Sequence, residues 1–169
     1  MGTEFAASGF TGINGKGNGN FDTEGMVTRA EFIKILLGAL GIEIIRSDDI
    51  LFNDVKADVW YAPYVNTGVK LNLISGKGDN TFAPDEAITR QDAATIIYRA
   101  LLASGIAASA EGTEFIDSGE VSLYAKDAVS ALASHGIING VGDGTFRPLE
   151  NTTRAQAVVI LYRLCNMLS

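Results

Sequence analysis

Three arginines recur in one chemical setting. They lie in Thr28-Arg29-Ala30-Glu31, Thr89-Arg90-Gln91-Asp92 and Thr153-Arg154-Ala155-Gln156, so successive arginines are 61 and 64 positions apart. A guanidinium is permanently charged and offers a planar fork of donors that matches a carboxylate or phosphate through two parallel bonds. Each arginine falls where an apolar helix begins, and there the positive end of the helix dipole disfavours a cation. A cation kept three times in that position implies pairing with a carboxylate or retention for an anionic ligand. A plain surface salt bridge, worth under about 1 kcal/mol, is the bland alternative and stays open at this point.

The elements that must position these arginines also repeat. Eight residues before each arginine is a phenylalanine, Phe21, Phe82 or Phe146, which closes a glycine-rich loop. The loops begin at Gly15, Gly76 and Gly140. Glycine supplies the positive φ angles of a tight turn, Asn and Asp tolerate them, and the phenylalanine reads as a plug onto the core. Each threonine is a helix N-cap, with Glu31 or Gln156 placed for a capping box.

Helices are predicted over 28–40, 89–101 and 153–167, with Ile33, Leu36, Leu37 and Leu40 at helical spacing in the first. Shorter helices are predicted before the second and third loops. One begins around Trp60 with Pro63 in its first turn, and the other begins around Tyr124. Nothing ahead of Gly15 resembles Trp60-Tyr61-Ala62, so two units are complete and the first lacks its N-terminal helix.

Composition narrows the function. Across 169 residues, 47% are hydrophobic, enough for a real core, and the net charge of −7 argues against a nucleic-acid partner. One cysteine, Cys165, excludes an internal disulfide framework, and no apolar run is long enough to insert in a membrane. No cofactor or metal is expected. The first loop has Lys16 and Gly25 where a calcium loop needs ligands, and it lacks the Gly-Lys-Ser/Thr of a phosphate cradle. A glycosidase would need two carboxylates across a cleft, but Asp54 and Asp117 look like turn or cap residues. The lone histidine, His135, has no partner pattern, so no catalytic residue is assigned and the chain is not read as an enzyme.

Taken together, the threefold Thr-Arg-Ala-Glu pattern, the glycine loops with Phe82-Ala83-Pro84 and Phe146-Arg147-Pro148, and Phe52-Asn53-Asp54 with Trp60 resemble the S-layer homology family. Its modules hold bacterial surface proteins on the cell wall. The resemblance implies an all-α fold of three tandem helix–loop–helix modules in a pseudo-threefold bundle. Residues 1–8 would be a vector-derived start and flexible arm, 9–42 the incomplete first module, 52–102 the second, 103–113 a linker and 114–169 the third.

The resemblance further implies a non-catalytic anchor at the extracellular bacterial surface. It would bind pyruvylated secondary cell-wall polysaccharide in grooves between modules. Carried over, Arg29, Arg90 and Arg154 grip the acid, Trp60 and Tyr124 contribute aromatic surface, and Glu31, Asp92, Gln156, Gly76 and Gly140 complete the sites. Because Glu31 becomes Asp92 and Gln156, the three grooves are not expected to be equal. The alternative is a self-associating lattice module, and a homodimer is one way to complete module 1.

Overall fold

The computed structural model describes residues 22–49, 51–106 and 114–169. Within them lie five α-helices: α1 (Arg29–Ala39), α2 (Ala62–Lys70), α3 (Arg90–Ala103), α4 (Lys126–Ser134) and α5 (Arg154–Leu168). Two 3₁₀ turns, Ser118–Glu120 and Leu123–Ala125, lead into α4. The predicted helices are present, and the architecture is all-α. Ala103, predicted as linker, is still the last residue of α3. The predicted arm, the first glycine loop with Phe21, and 107–113 of the linker lie outside the described residues.

The long helices start where the threonines place them. Thr28 and Thr153 each accept a bond from the third helical N–H, and Glu31 and Gln156 bond back to the cap, completing both capping boxes. Thr89 caps α3 through the N–H of Asp92, whose shorter side chain is turned elsewhere. Gly41 follows α1 with φ of 64°, a left-handed turn residue at the helix end.

A closed ring of backbone bonds ties the modules together. The Ile88 N–H donates to Val27 O at 2.9 Å, Thr152 N–H to Ile88 O at 2.8 Å, and Val27 N–H to Thr152 O at 3.0 Å. All three residues are 0% exposed, so each bond sits where an unpaired amide would be costly. Antiparallel bridges Thr28–Ala87, Thr89–Asn151 and Met26–Thr153 extend the same cycle. This is the pseudo-threefold axis.

Around that axis α5 packs against both α1 and α3, while α2 lies on α1 and α4 on α3. The interior is filled by Phe32, Ile33, Leu36, Leu37, Ile97 and Leu101, all fully enclosed, with Leu161 and Leu164 from α5. The connector after α1 straps across α2. Buried Asn66 donates to Ser47 O and Asp49 O, and Thr67 accepts from the Ile45 N–H.

The two described glycine loops are pinned as the phenylalanines suggest. Phe82 and Phe146 are buried and stack on Phe52 and Phe115 at centroid distances of 5.7 and 5.5 Å. A Cβ on Gly76 would come within 2.6 Å of the Phe52 ring, and one on Gly140 within 3.0 Å of the Phe115 ring. Asp54 and Asp117 lie in turns as expected, and Asp117 caps the Ser118–Glu120 turn, but their side chains reach across to the glycine loops. The two oxygens of Asp54 accept the N–H groups of Phe82 and Ala83 at 2.8 and 2.7 Å, and Asp117 does the same for Phe146 and Arg147. Ala83 and Arg147 have φ of 57° and 56°, left-handed values that a side chain resists. The paired carboxylate bonds help hold them there.

Candidate anion-binding grooves between modules

The arginines do not project into solvent from their own helices. Arg29 is 6% exposed, and its Nε donates to Phe82 O at 2.8 Å while its guanidinium lies 4.9 Å from the Phe82 ring centre. Arg90 repeats this one module on, with Nε to Phe146 O at 2.7 Å and the guanidinium 5.0 Å from that ring. Each arginine therefore fastens its module to the glycine loop of the next. The remaining guanidinium nitrogens border an open groove in each case.

The Arg29 groove encloses about 470 Å³. Its rim is the glycine loop from Ser75 to Gly78, its side is α3, and Tyr124 from the third module closes one end. Asp92 joins these parts. One carboxylate oxygen pairs with Arg29 Nη1 at 3.4 Å, and the other accepts the Tyr124 hydroxyl at 2.5 Å. Burial of that end and then the Asp92 carboxylate push the Tyr124 phenol well above its usual range, so it stays a donor. Gln91 fixes the segment carrying Tyr124 by exchanging two bonds with Ser122, at 3.0 and 3.1 Å. Deeper along α3, Arg99 donates to Leu73 O at 3.4 Å and lines the same space.

The Arg90 groove encloses about 340 Å³ and is built on the same plan from Gly140, Val141 and α5. Gln156 stands where Asp92 stood, and its amide oxygen is engaged by the Thr153 N–H at 3.1 Å. Arg163 takes the place of Arg99, donating to Ile137 O at 3.3 Å. Burial holds the Arg90 guanidinium below its ordinary pKa, and the nearby carboxylates of Glu150 and Asp117 offset this only in part.

At the third junction Arg154 is 7% exposed, and its Nη1 lies 3.7 Å from Glu31 Oε1. Trp60, 52% exposed, receives Lys34 over its ring at 5.3 Å, one helical turn beyond Glu31. The glycine loop that would complete this junction lies outside the described residues.

The structure thus brings Arg29, Asp92, Gly76 and Tyr124 to one groove, and Arg90, Gln156 and Gly140 to another. Arg154 and Glu31 meet at the third junction, and Trp60 faces Lys34 on the same helix as Glu31. Two features of the helix starts bear on the grooves. The first helical N–H groups are not free for a ligand: those of Arg29 and Ala30 bond to Glu86 O and Pro84 O, and those of Arg90 and Gln91 to Glu150 O and Pro148 O. The Nε groups of Arg29 and Arg90 are committed as well, each holding a buried carbonyl of the next module. Arg99, Arg163 and Lys34 were not singled out as site residues. The matched Tyr98-Arg99 and Tyr162-Arg163 pairs were the signal for two of them.

Comparison with known proteins agrees with this architecture. The family described as the S-layer homology domain matches residues 13–33, 51–94 and 114–158. A surface-layer 125 kDa protein from Lysinibacillus sphaericus is 32% identical over 154 residues, covering 89% of this chain and 13% of that protein. A cellulosome-anchoring protein from Acetivibrio thermocellus is also 32% identical over 154 residues, covering 89% of this chain and 34% of its own length. An amylopullulanase from Thermoanaerobacterium thermosulfurigenes is 33% identical over 157 residues, 90% of this chain but 8% of the enzyme. The chain therefore spans a minor part of each of these relatives. With three matched modules, a closed backbone ring and repeated inter-module arginines, this chain belongs to the S-layer homology domain family.

Proposed function

We propose that this chain is a non-catalytic anchoring unit that holds a larger protein at the bacterial cell surface. It does so by binding an acidic wall polysaccharide, bearing ketal-linked pyruvate, in the grooves between its modules. The observation that carries this reading is a guanidinium nine-tenths buried at the edge of an open groove, twice, beside a glycine loop. Relatives named as surface-layer and cellulosome-anchoring proteins fit it. So does the small share of the amylopullulanase that resembles this chain, as expected for a tether separate from a catalytic region. Among the described residues no helix is long and apolar enough to cross a membrane.

A net charge of −7 does not oppose an anionic ligand, because distant charges are screened beyond about 8 Å at physiological salt while the arginines act at contact. Half-exposed Tyr124 offers an aromatic wall for a sugar ring. Titration with wall polymer before and after removal of pyruvate tests the reading. Binding should be lost or greatly weakened on depyruvylation, and equal binding would reject it.

Self-association is the second reading, including a homodimer in which a partner completes module 1. It is favoured by apolar side chains left in solvent: Leu123 is 87% exposed and Ile116 80%, with Val159 and Tyr162 outward on α5. Sedimentation without polymer separates the two, since a monomer at every dilution would exclude this one.

A further inference from the structure

The two fully described grooves have the same plan but differ in whether they carry their own anion. In the Arg29 groove, Asp92 already supplies a carboxylate to the guanidinium. An incoming carboxylate would displace that contact while facing a like charge. In the Arg90 groove the equivalent residue is the neutral Gln156, and its lining holds Arg90 and Arg163 with no acidic residue. Among the described residues no carboxylate forms an ion pair with Arg90, though it is 6% exposed. Its Nε is satisfied by Phe146 O, which orients the rest of the fork toward the groove. The carboxylates of Glu150 and Asp117 act on Arg90 without a contact ion pair and offset its burial only in part, so a carboxylate arriving in the groove removes a remaining deficit.

Resting on the function proposed above, we infer that the two grooves read different sugars of one polymer. The Arg90–Arg163 groove takes the carboxylate-bearing unit. The Arg29–Arg99 groove, with Asp92 as a ready acceptor for sugar hydroxyls, takes a neutral unit. Gln156 and Asp92 are the residues that set this division.

The test uses a methyl hexopyranoside carrying a pyruvate ketal, with its neutral methyl ester as control, followed by amide NMR on the full chain. The acid should shift Gly140, Val141 and Gln156 first, while the ester should not. Gln156→Glu sharpens the test because Glu31 shows that glutamate at this position keeps the capping box and pairs with an arginine. That variant should remain folded and bind the acid at least about tenfold more weakly, the loss of roughly one charged hydrogen bond. Asp92→Asn should have the opposite effect, making Ser75 to Gly78 respond to the acid. Arg163→Gln, away from the module junction, should weaken acid binding without unfolding. First response at Ser75 to Gly78 in the unaltered chain, or unchanged affinity in Gln156→Glu, overturns the division between grooves. Failure of pyruvylated polymer itself to bind overturns the anchoring function instead.

Discussion

At the axis, Val27, Ile88 and Thr152 do one job three times, each giving and accepting a buried backbone bond. At the rim, Glu31, Asp92 and Gln156 occupy equivalent helical positions and do three different things. Glu31 and Gln156 complete capping boxes, Glu31 also faces Arg154, and Asp92 links Arg29 to Tyr124. Backbone bonds at the axis are indifferent to side-chain identity as long as the side chain is compact and buried. Charge at the rim is not indifferent, because one carboxylate decides whether a buried guanidinium is satisfied. A repeat protein can therefore hold its assembly constant while its grooves diverge.

The first way to break the comparison is to attack what both regions depend on, the glycine loops. Asp54→Ala or Asp117→Ala removes two bonds to a charged acceptor and orphans two N–H groups beside a left-handed residue. The expected cost is about 3–5 kcal/mol, read by denaturant unfolding, and asparagine should cost less because it offers one acceptor oxygen. A cost below about 1 kcal/mol would mean that the phenylalanine plugs alone fix the loops.

Next in size are the arginines, which belong to both regions at once. Arg29→Ala and Arg90→Ala should each lose roughly 1.5–3 kcal/mol of stability through the freed phenylalanine carbonyl and the lost ring contact. The two should differ. Removing Arg29 strands the Asp92 carboxylate, whereas removing Arg90 strands no paired acid among the described residues and relieves a desolvated charge. Calorimetry should find Arg29→Ala the more damaging, and the reverse order would deny Asp92 its structural part.

Most of this frame is legible in the sequence because it is local. Threonine caps, glycine turns and the spacing of Ile33, Leu36 and Leu37 are decided within a few residues, and repetition makes each readable three times. The destinations of the polar side chains are not local. Arg29 reaches a carbonyl 53 residues away and Arg90 one 56 away, so both look like isolated cations at helix starts. Asp54 and Asp117 are readable as turn residues but not as clamps on the glycine loops, because their side-chain partners lie 28 to 30 positions later. Tyr124 meets Asp92 across 32 positions, and only the closed ring makes that encounter predictable.

A smaller effect sharpens the axis side of the comparison. Thr152 sits with Val27 and Ile88 at zero exposure, and its hydroxyl oxygen has no hydrogen-bond partner among the described residues. Thr152→Val keeps the backbone bonds and the side-chain shape while removing the unsatisfied hydroxyl. It should gain about 1 kcal/mol, seen as a higher unfolding midpoint with unchanged slope. A loss would show that the hydroxyl does have a partner on the axis.

The smallest effect separates the two loops. Asp143 accepts the Thr145 hydroxyl and N–H and is paired with Arg147, which hold its carboxyl below the usual carboxylate range. Asp79 accepts the equivalent bonds from Thr81, but the residue matching Arg147 is Ala83, and its carboxyl is also lowered, chiefly by Thr81. A carboxyl lowered on folding binds fewer protons in the folded state, so stability rises with pH across the interval between its folded and unfolded values. The contribution is complete above the ordinary carboxylate range and fades as pH falls through the folded value. Both groups are solvent-facing, so salt should reduce the Arg147 part. Carboxyl NMR should find Asp143 titrating below Asp79, and Arg147→Ala should move Asp143 upward toward Asp79. If Asp143 does not move, Thr145 alone sets its acidity, and the two loops are electrostatically the same.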